Sequence, residues 1–164
     1  MAFFGFLRVS EFTCSGSFVV SRHLSCSDLV FDPAGYYRLF LKTDPFHHGC
    51  VIFLGPSGQS ICPVAALTRY LQMRGSSPGQ LFLCQDGTPL SPTTVNWLRS
   101  ILSSAGVTGN YSSHSFRIGA ATSAALAGVP DHLIKTLGRW SSDAYLRYIR
   151  TPPHVFLSSV RFLI

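Results

Sequence analysis

The chain has 164 residues, 46% apolar and 12% charged, with 13 Lys+Arg against 7 Asp+Glu and a formal charge of +6. One domain of ordinary size fits that length, and the apolar share is too high, at too low a charge density, for a disordered chain. No apolar run reaches the roughly 18 residues that a membrane span needs, and the Phe-rich start lacks the basic flank of a secretory signal, so an intracellular, soluble protein is expected.

Residues 1–13 put Phe3, Phe4 and Leu7 at helical spacing, with Arg8 and Glu11 three apart, and predict a helix already under way at residue 1. A helix without its own N-cap implies a chain that starts inside a larger architecture. From Gly16 the texture turns to β, with short apolar runs at 18–20, 24–31, 36–41 and 51–54. Asp32-Pro33-Ala34-Gly35 and Thr43-Asp44-Pro45 are turn chemistry between them, so a small antiparallel sheet is expected with Lys42 at a hairpin turn. Pro63 opens a helix that ends near Gly75, and Ser91-Pro92 opens one that runs to Gly106. Ser112 or Ser113 caps an Ala-rich helix to Gly128, Pro130 starts one that ends at Gly138, and Ser141 or Ser142 caps a short one reaching Ile149. Pro152-Pro153 breaks the chain before an apolar tail. The whole reads as one α+β domain, mainly α, with a small sheet near its start.

Five cysteines lie singly, with no C-x-x-C pair, which indicates buried free thiols rather than a disulfide framework or a zinc site. Eleven of the 13 basic residues are Arg, whose planar fork suits oxyanions, and a pI near 9.4 points to a polyanionic partner: nucleic acid first, an anionic membrane surface second. Asp28, Asp32, Asp44, Asp86, Asp131 and Asp143 fall mostly at turns or caps, so a carboxylate set for a metal is hard to assemble. No metal and no cofactor are expected.

The informative stretch is His114-Ser115-Phe116-Arg117, followed by Leu137-Gly138-Arg139-Trp140 and Tyr148-Ile149-Arg150. His114 and Arg117 are three apart at a helix start, where exposed N–H groups and the positive dipole end favour a phosphate. Tyr148, 31 residues beyond Arg117, is far enough along to fold back over that anion cradle and is a candidate nucleophile.

Gly5-Phe6-Leu7-Arg8-Val9-Ser10-Glu11 resembles the first-arginine motif of the tyrosine recombinases, the phage integrase family, and His114-x-x-Arg117, Gly138-Arg139-Trp140 and Tyr148 follow in that family's order and at close to its spacing. Leu41-Lys42-Thr43-Asp44-Pro45-Phe46 and Gly138-Arg139-Trp140-Ser141-Ser142-Asp143-Ala144-Tyr145 look most like the recombinases of eukaryotic mobile elements of the DIRS, Ngaro and Crypton kinds. The resemblance covers about residues 1–150 and implies DNA strand cleavage and rejoining through a covalent 3′-phosphotyrosine. Under it Tyr148 attacks the scissile phosphorus, Arg8 and Arg117 hold the nonbridging oxygens, and Lys42 protonates the leaving 5′-oxygen. His114 serves proton transfer or holds the phosphate, Trp140 packs on and hydrogen bonds to it, and Glu11 orients Arg8.

The same resemblance implies a catalytic domain over 1–150 without the N-terminal domain that closes the clamp on DNA, and a tail over 151–164 that is exchanged between protomers or folds back. Double-stranded DNA is the expected partner, bound by several copies of the chain in the nucleus, with no membrane and no small-molecule substrate. Tyr145 competes with Tyr148 as nucleophile, and Arg139 with Trp140 for the family's His/Trp slot. Arg8 and Glu11 also fit a surface i,i+3 pair, and Lys42 a solvated turn lysine. Two other functions fit the residues: a noncatalytic DNA-binding remnant, and a type IB topoisomerase.

Overall fold

Alternation in the sequence becomes alternation in the sheet. β1 (Leu29–Asp32), β2 (Tyr36–Leu41) and β3 (Cys50–Leu54) pair antiparallel in the order β1-β2-β3. The computed structural model describes residues 1–42 and 49–149. β2 buries Tyr37, Leu39 and Leu41 and exposes Arg38 and Phe40, the period-two pattern of a half-buried strand. The register sets Val30 and Phe53 on either side of Arg38, and Val51 beside Phe40, so the outer face is largely apolar and open. Gly35, with φ 90°, closes the β1–β2 turn by donating to the Asp32 carbonyl at 2.9 Å.

Among the described residues four α-helices follow the strands. α2 spans Pro63–Arg74 and α3 spans Pro92–Ser104, each with proline in its first turn. The Ser91 hydroxyl caps α3 by accepting from the Thr94 N–H at 3.1 Å. α4 (His114–Leu126), α5 (Asp131–Gly138) and a 3₁₀ helix at Asp143–Tyr148, capped by Ser142, form the helical half. α1, the short helix that precedes the sheet, is Val9–Phe12.

Several expectations are corrected. Residues 1–8 are successive turns, not a helix: Gly5 donates to Met1 O, Phe6 to Phe3 O and Leu7 to Ala2 O. Phe6 has φ 49°, which breaks any helix there. α1 does have a cap, since the Glu11 carboxylate accepts from the Arg8 N–H at 2.7 Å. The run 18–20 is not a strand; it leads into a turn in which His23 Nδ1 accepts from the Val19 N–H at 2.9 Å. Before Leu29 the chain makes a 3₁₀ turn over Cys26–Asp28 rather than extending the strand. Neither Ser112 nor Ser113 caps α4 through its side chain; instead the Ser115 hydroxyl accepts from the Ser112 N–H. Of the five cysteines only Cys14 is buried, the other four being half-buried. The Thr43-Asp44-Pro45 turn, Phe46, Arg150 and the apolar tail lie outside the described residues.

The core has a sheet side and a helix side. Leu7, Leu24, Leu39, Leu41 and Leu81 pack under the sheet, and Tyr37, Leu54 and Leu67 join it to α2. Phe6, Ala120, Ala121, Ile134 and Tyr145 form the helical core. Adjacent residues Phe6 and Leu7 thus fall into different cores, and the coil 1–8 runs between them. Leu39 is fully buried at the centre of the middle strand. Leu39→Ala is expected to lower the unfolding free energy by about 2 to 5 kcal/mol in a denaturant titration, the range for a buried Leu that leaves a cavity.

Candidate functional site

The site begins with a left-handed phenylalanine. At φ 49° Phe6 turns its carbonyl toward the helical half, where it accepts from Arg117 Nη1 at 2.6 Å and from Arg139 Nη2 at 3.2 Å. Arg139 closes the C-terminus of α5, itself left-handed at φ 54°. That conformation sends its guanidinium inward: Nη1 bonds Gly5 O and Leu137 O, and Nη2 pairs with Glu11 Oε2 at 2.8 Å. Its Nε is buried with no hydrogen-bond partner among the described residues. Glu11, 5% exposed, also pairs through Oε1 with Arg8 Nη1 at 3.1 Å. One carboxylate therefore holds two arginines that lie 131 residues apart, and Arg8 Nη2 reaches back to Arg139 O at 3.4 Å.

Among the described residues Arg117 is the most enclosed cation, at 1% exposure on the inner face of α4. Besides Phe6 O it donates to the Gly138 carbonyl, and its guanidinium carbon lies 4.2 Å from the centroid of the Trp140 ring. A side chain at 138 is impossible in this turn, because a Cβ there would fall 1.6 Å from Trp140 Cζ3. Burial, then the charges of Arg8 and Arg139, push the Arg117 guanidinium down to about 10, opposed by Glu11 and Tyr148. It stays protonated at neutral pH.

Tyr148 and His114 complete the cluster. His114 Nε2 lies 3.1 Å from the Tyr148 hydroxyl, with the rings edge to face at 5.2 Å. Burial and the charges of Arg117 and Arg8 hold the His114 imidazole below its ordinary range, so it is neutral at neutral pH. With the proton on Nδ1, Nε2 is an acceptor for the phenol hydrogen. Tyr148 also packs on Trp140 at 6.0 Å, and Thr122 Oγ1 donates to its backbone carbonyl at 2.6 Å.

Of the residues singled out from sequence, Arg8, Glu11, His114, Arg117, Trp140 and Tyr148 come together. Tyr145 is 5% exposed, packed in the helical core against Trp140 at 5.8 Å, whereas Tyr148 is half-buried with its hydroxyl on His114. Lys42 is not a solvated turn lysine. Its side chain is 14% exposed, and Nζ contacts Asp28 Oδ2 at 2.6 Å, Val20 O, His23 O and Ser25 Oγ. Those partners belong to the segment before β1, and none is part of the arginine cluster. Among the described residues no group of three His, Cys, Asp or Glu side chains is set to hold a metal. Three contributors had no sequence signal strong enough to single them out: the Gly5 and Phe6 carbonyls, presented by a conformation rare for phenylalanine, and Thr122, an ordinary helical threonine by position.

Neither a protein-family model nor a curated protein sequence matches the chain. Solved structures do. XerA recombinase superposes with a TM-score of 0.71 at 17% identity, over 96% of this chain and 52% of that one. The XerH site-specific recombinase, bound to palindromic difH substrate in a post-cleavage complex, gives 0.70 at 15% identity, over 97% of this chain and 42% of that one. The Tn1549 transposon integrase with circular-intermediate DNA gives 0.65 at 16% identity, over 98% of this chain and 54% of that one. The fold is that of a tyrosine recombinase catalytic domain. The chain spans about half the length of the recombinase structures it matches.

Within this recombinase fold the buried Glu11 carboxylate pairs with two arginines, Arg8 and Arg139, and offsets one of their two charges. Glu11→Gln is expected to lower stability by about 3 kcal/mol in a denaturant titration, because a buried pair that loses one partner leaves charge uncompensated. The His114 imidazole should titrate by NMR below the midpoint of a free histidine, and Arg8→Gln, which removes one repelling charge, should raise it part-way. Because the folded pKa is depressed, His114 favours folding above the ordinary histidine pKa, and that contribution fades as the pH falls through the folded value.

Proposed function

We propose that the protein cleaves and rejoins DNA strands through a phosphotyrosine linkage formed by Tyr148. The carrying observation is the phenol seated on a neutral imidazole, 3.1 Å away, beside two buried or half-buried arginines. In the first step His114 Nε2 takes the phenol proton as Tyr148 Oη bonds the scissile phosphorus. The bond from phosphorus to the 5′-oxygen breaks, and that oxygen takes a proton as it leaves. A 5′-hydroxyl from another strand reverses the step, so the phosphodiester energy is kept in the covalent intermediate.

The cations divide the charge stabilisation between them. Arg8, the more open of the pair, reaches the nonbridging oxygens, while Arg117, with both terminal nitrogens already on carbonyls and its guanidinium enclosed, acts chiefly through its field on a site that is itself open to solvent at His114. Trp140 borders the phosphate with its ring on Arg117 and Tyr148; Arg139, turned inward to Glu11, holds the frame. Lys42 donates the leaving-group proton once its ammonium leaves the Asp28 carboxylate.

The partner is double-stranded DNA, engaged by several copies of the chain, in the integration or excision of a mobile element. The high pI, the DNA held in the XerH and Tn1549 integrase structures, and the wording of the 41–46 and 138–145 motifs support this. A noncatalytic DNA-binding role is the second reading, favoured by the tethering of Lys42. A nicked suicide duplex separates the two. The wild-type chain should be trapped as a covalent adduct mapping to Tyr148, Tyr148→Phe should lose it, and Tyr145→Phe should keep it. Salt-sensitive duplex binding with no adduct selects the second reading, and an adduct that survives Tyr148→Phe removes the first.

A further inference from the structure

A hydroxyl inside a helix ordinarily folds back on its own backbone, accepting little conformational choice in return for a local bond to the carbonyl four residues earlier. Ser104 and Thr136 do this, bonding the carbonyls of Ser100 and His132. Thr122 does not. From the middle of α4 its Oγ1 crosses to the backbone carbonyl of Tyr148 at 2.6 Å. That carbonyl lies at the end of the 3₁₀ helix Asp143–Tyr148, where the backbone oxygens run out of helical partners.

We propose that Thr122 is a positioning residue that pins the backbone of Tyr148 to α4 and so keeps the phenol on His114. α4 grips the nucleophile segment at three levels: His114 at the phenol, Arg117 at the Gly138 carbonyl, and Thr122 at the Tyr148 carbonyl. The first contact depends on the third. With the backbone fixed, only the two side-chain torsions of Tyr148 remain to place its hydroxyl, and both are limited by Trp140 on one side and His114 on the other. Released from Thr122, the Tyr148 carbonyl loses its bond to α4, and just past the 3₁₀ helix the chain keeps the 3.3 Å bond from Ile149 N to Leu146 O.

This role rests on Tyr148 being the nucleophile, so its test has one readout that needs the reaction and one that does not. Thr122→Val keeps the shape and removes the donor, and Thr122→Ser restores it. In single-turnover assays with the suicide duplex, Thr122→Val should slow adduct formation roughly threefold to tenfold, the value of one hydrogen bond, with duplex affinity unchanged and Thr122→Ser close to wild type. By NMR, Thr122→Val should move the His114 titration midpoint up toward that of free histidine, because withdrawal of the packed phenol relieves the burial that holds it down, and Thr122→Ser should not. Should the valine chain fail to fold, Thr122→Ala takes its place in both measurements. If wild type gives no adduct, the reaction is wrong while the His114 readout still decides the pin. A His114 midpoint unmoved by Thr122→Val, an unchanged adduct rate, or equal slowing by Thr122→Ser overturns the assignment.

Discussion

A guanidinium with almost no contact with water organises this molecule. Arg117 must keep its charge inside the protein, and it does so by donating to the carbonyls of Phe6 and Gly138 while an indole covers its face. Both carbonyls are aimed by left-handed geometry, at Phe6 itself and at Arg139 next to Gly138. Such backbone costs about 1 to 3 kcal/mol per residue. A hydrogen bond to a charged donor returns about 1.5 to 3 kcal/mol, so the two strained turns and the buried cation stabilise one another and none is expected to persist alone. Glu11 closes the arrangement by bridging Arg8 and Arg139, its one negative charge shared between them.

The consequence for architecture is that the first eight residues act as a seam. Phe6 goes to the helical core and Leu7 to the sheet core, so the segment that carries Arg8 is fixed from both sides. The groups proposed to react are thereby split. His114, Arg117, Trp140 and Tyr148 belong to the helical half, while Lys42 leaves the sheet at the end of β2 and is held by Asp28 and the carbonyls of Val20 and His23. Movement between Lys42 and the phenol is thus governed by a different set of bonds from those that set the phenol on its imidazole.

Much of the fold was legible because its boundaries are punctuated. Pro63 and Pro92 start α2 and α3 where first-turn prolines should, Gly75 stops α2, and β2 alternates as written. The opening segment departs from a helix for a physical reason: Phe3, Phe4 and Leu7 are spaced like a helix face, but the same spacing serves a coil packed between two cores. The motif residues were legible as residues, yet the choice between Tyr145 and Tyr148 was not. Three residues per turn in a 3₁₀ helix puts both on one side, both touching Trp140, and what separates them is burial and the contact of the Tyr148 hydroxyl with His114. Arg139 against Trp140 was equally undecidable, since the left-handed backbone that turns the guanidinium inward leaves no mark in the composition.

The stacking of Trp140 on Arg117 has an optical consequence. The chain contains two tryptophans, and Trp97 is 66% exposed on α3. With Trp97 replaced, the remaining indole emits from between a cation and a phenol. Its fluorescence becomes a built-in gauge of whether the pocket is empty, occupied or rearranged, readable without labels at the dilutions where DNA is titrated.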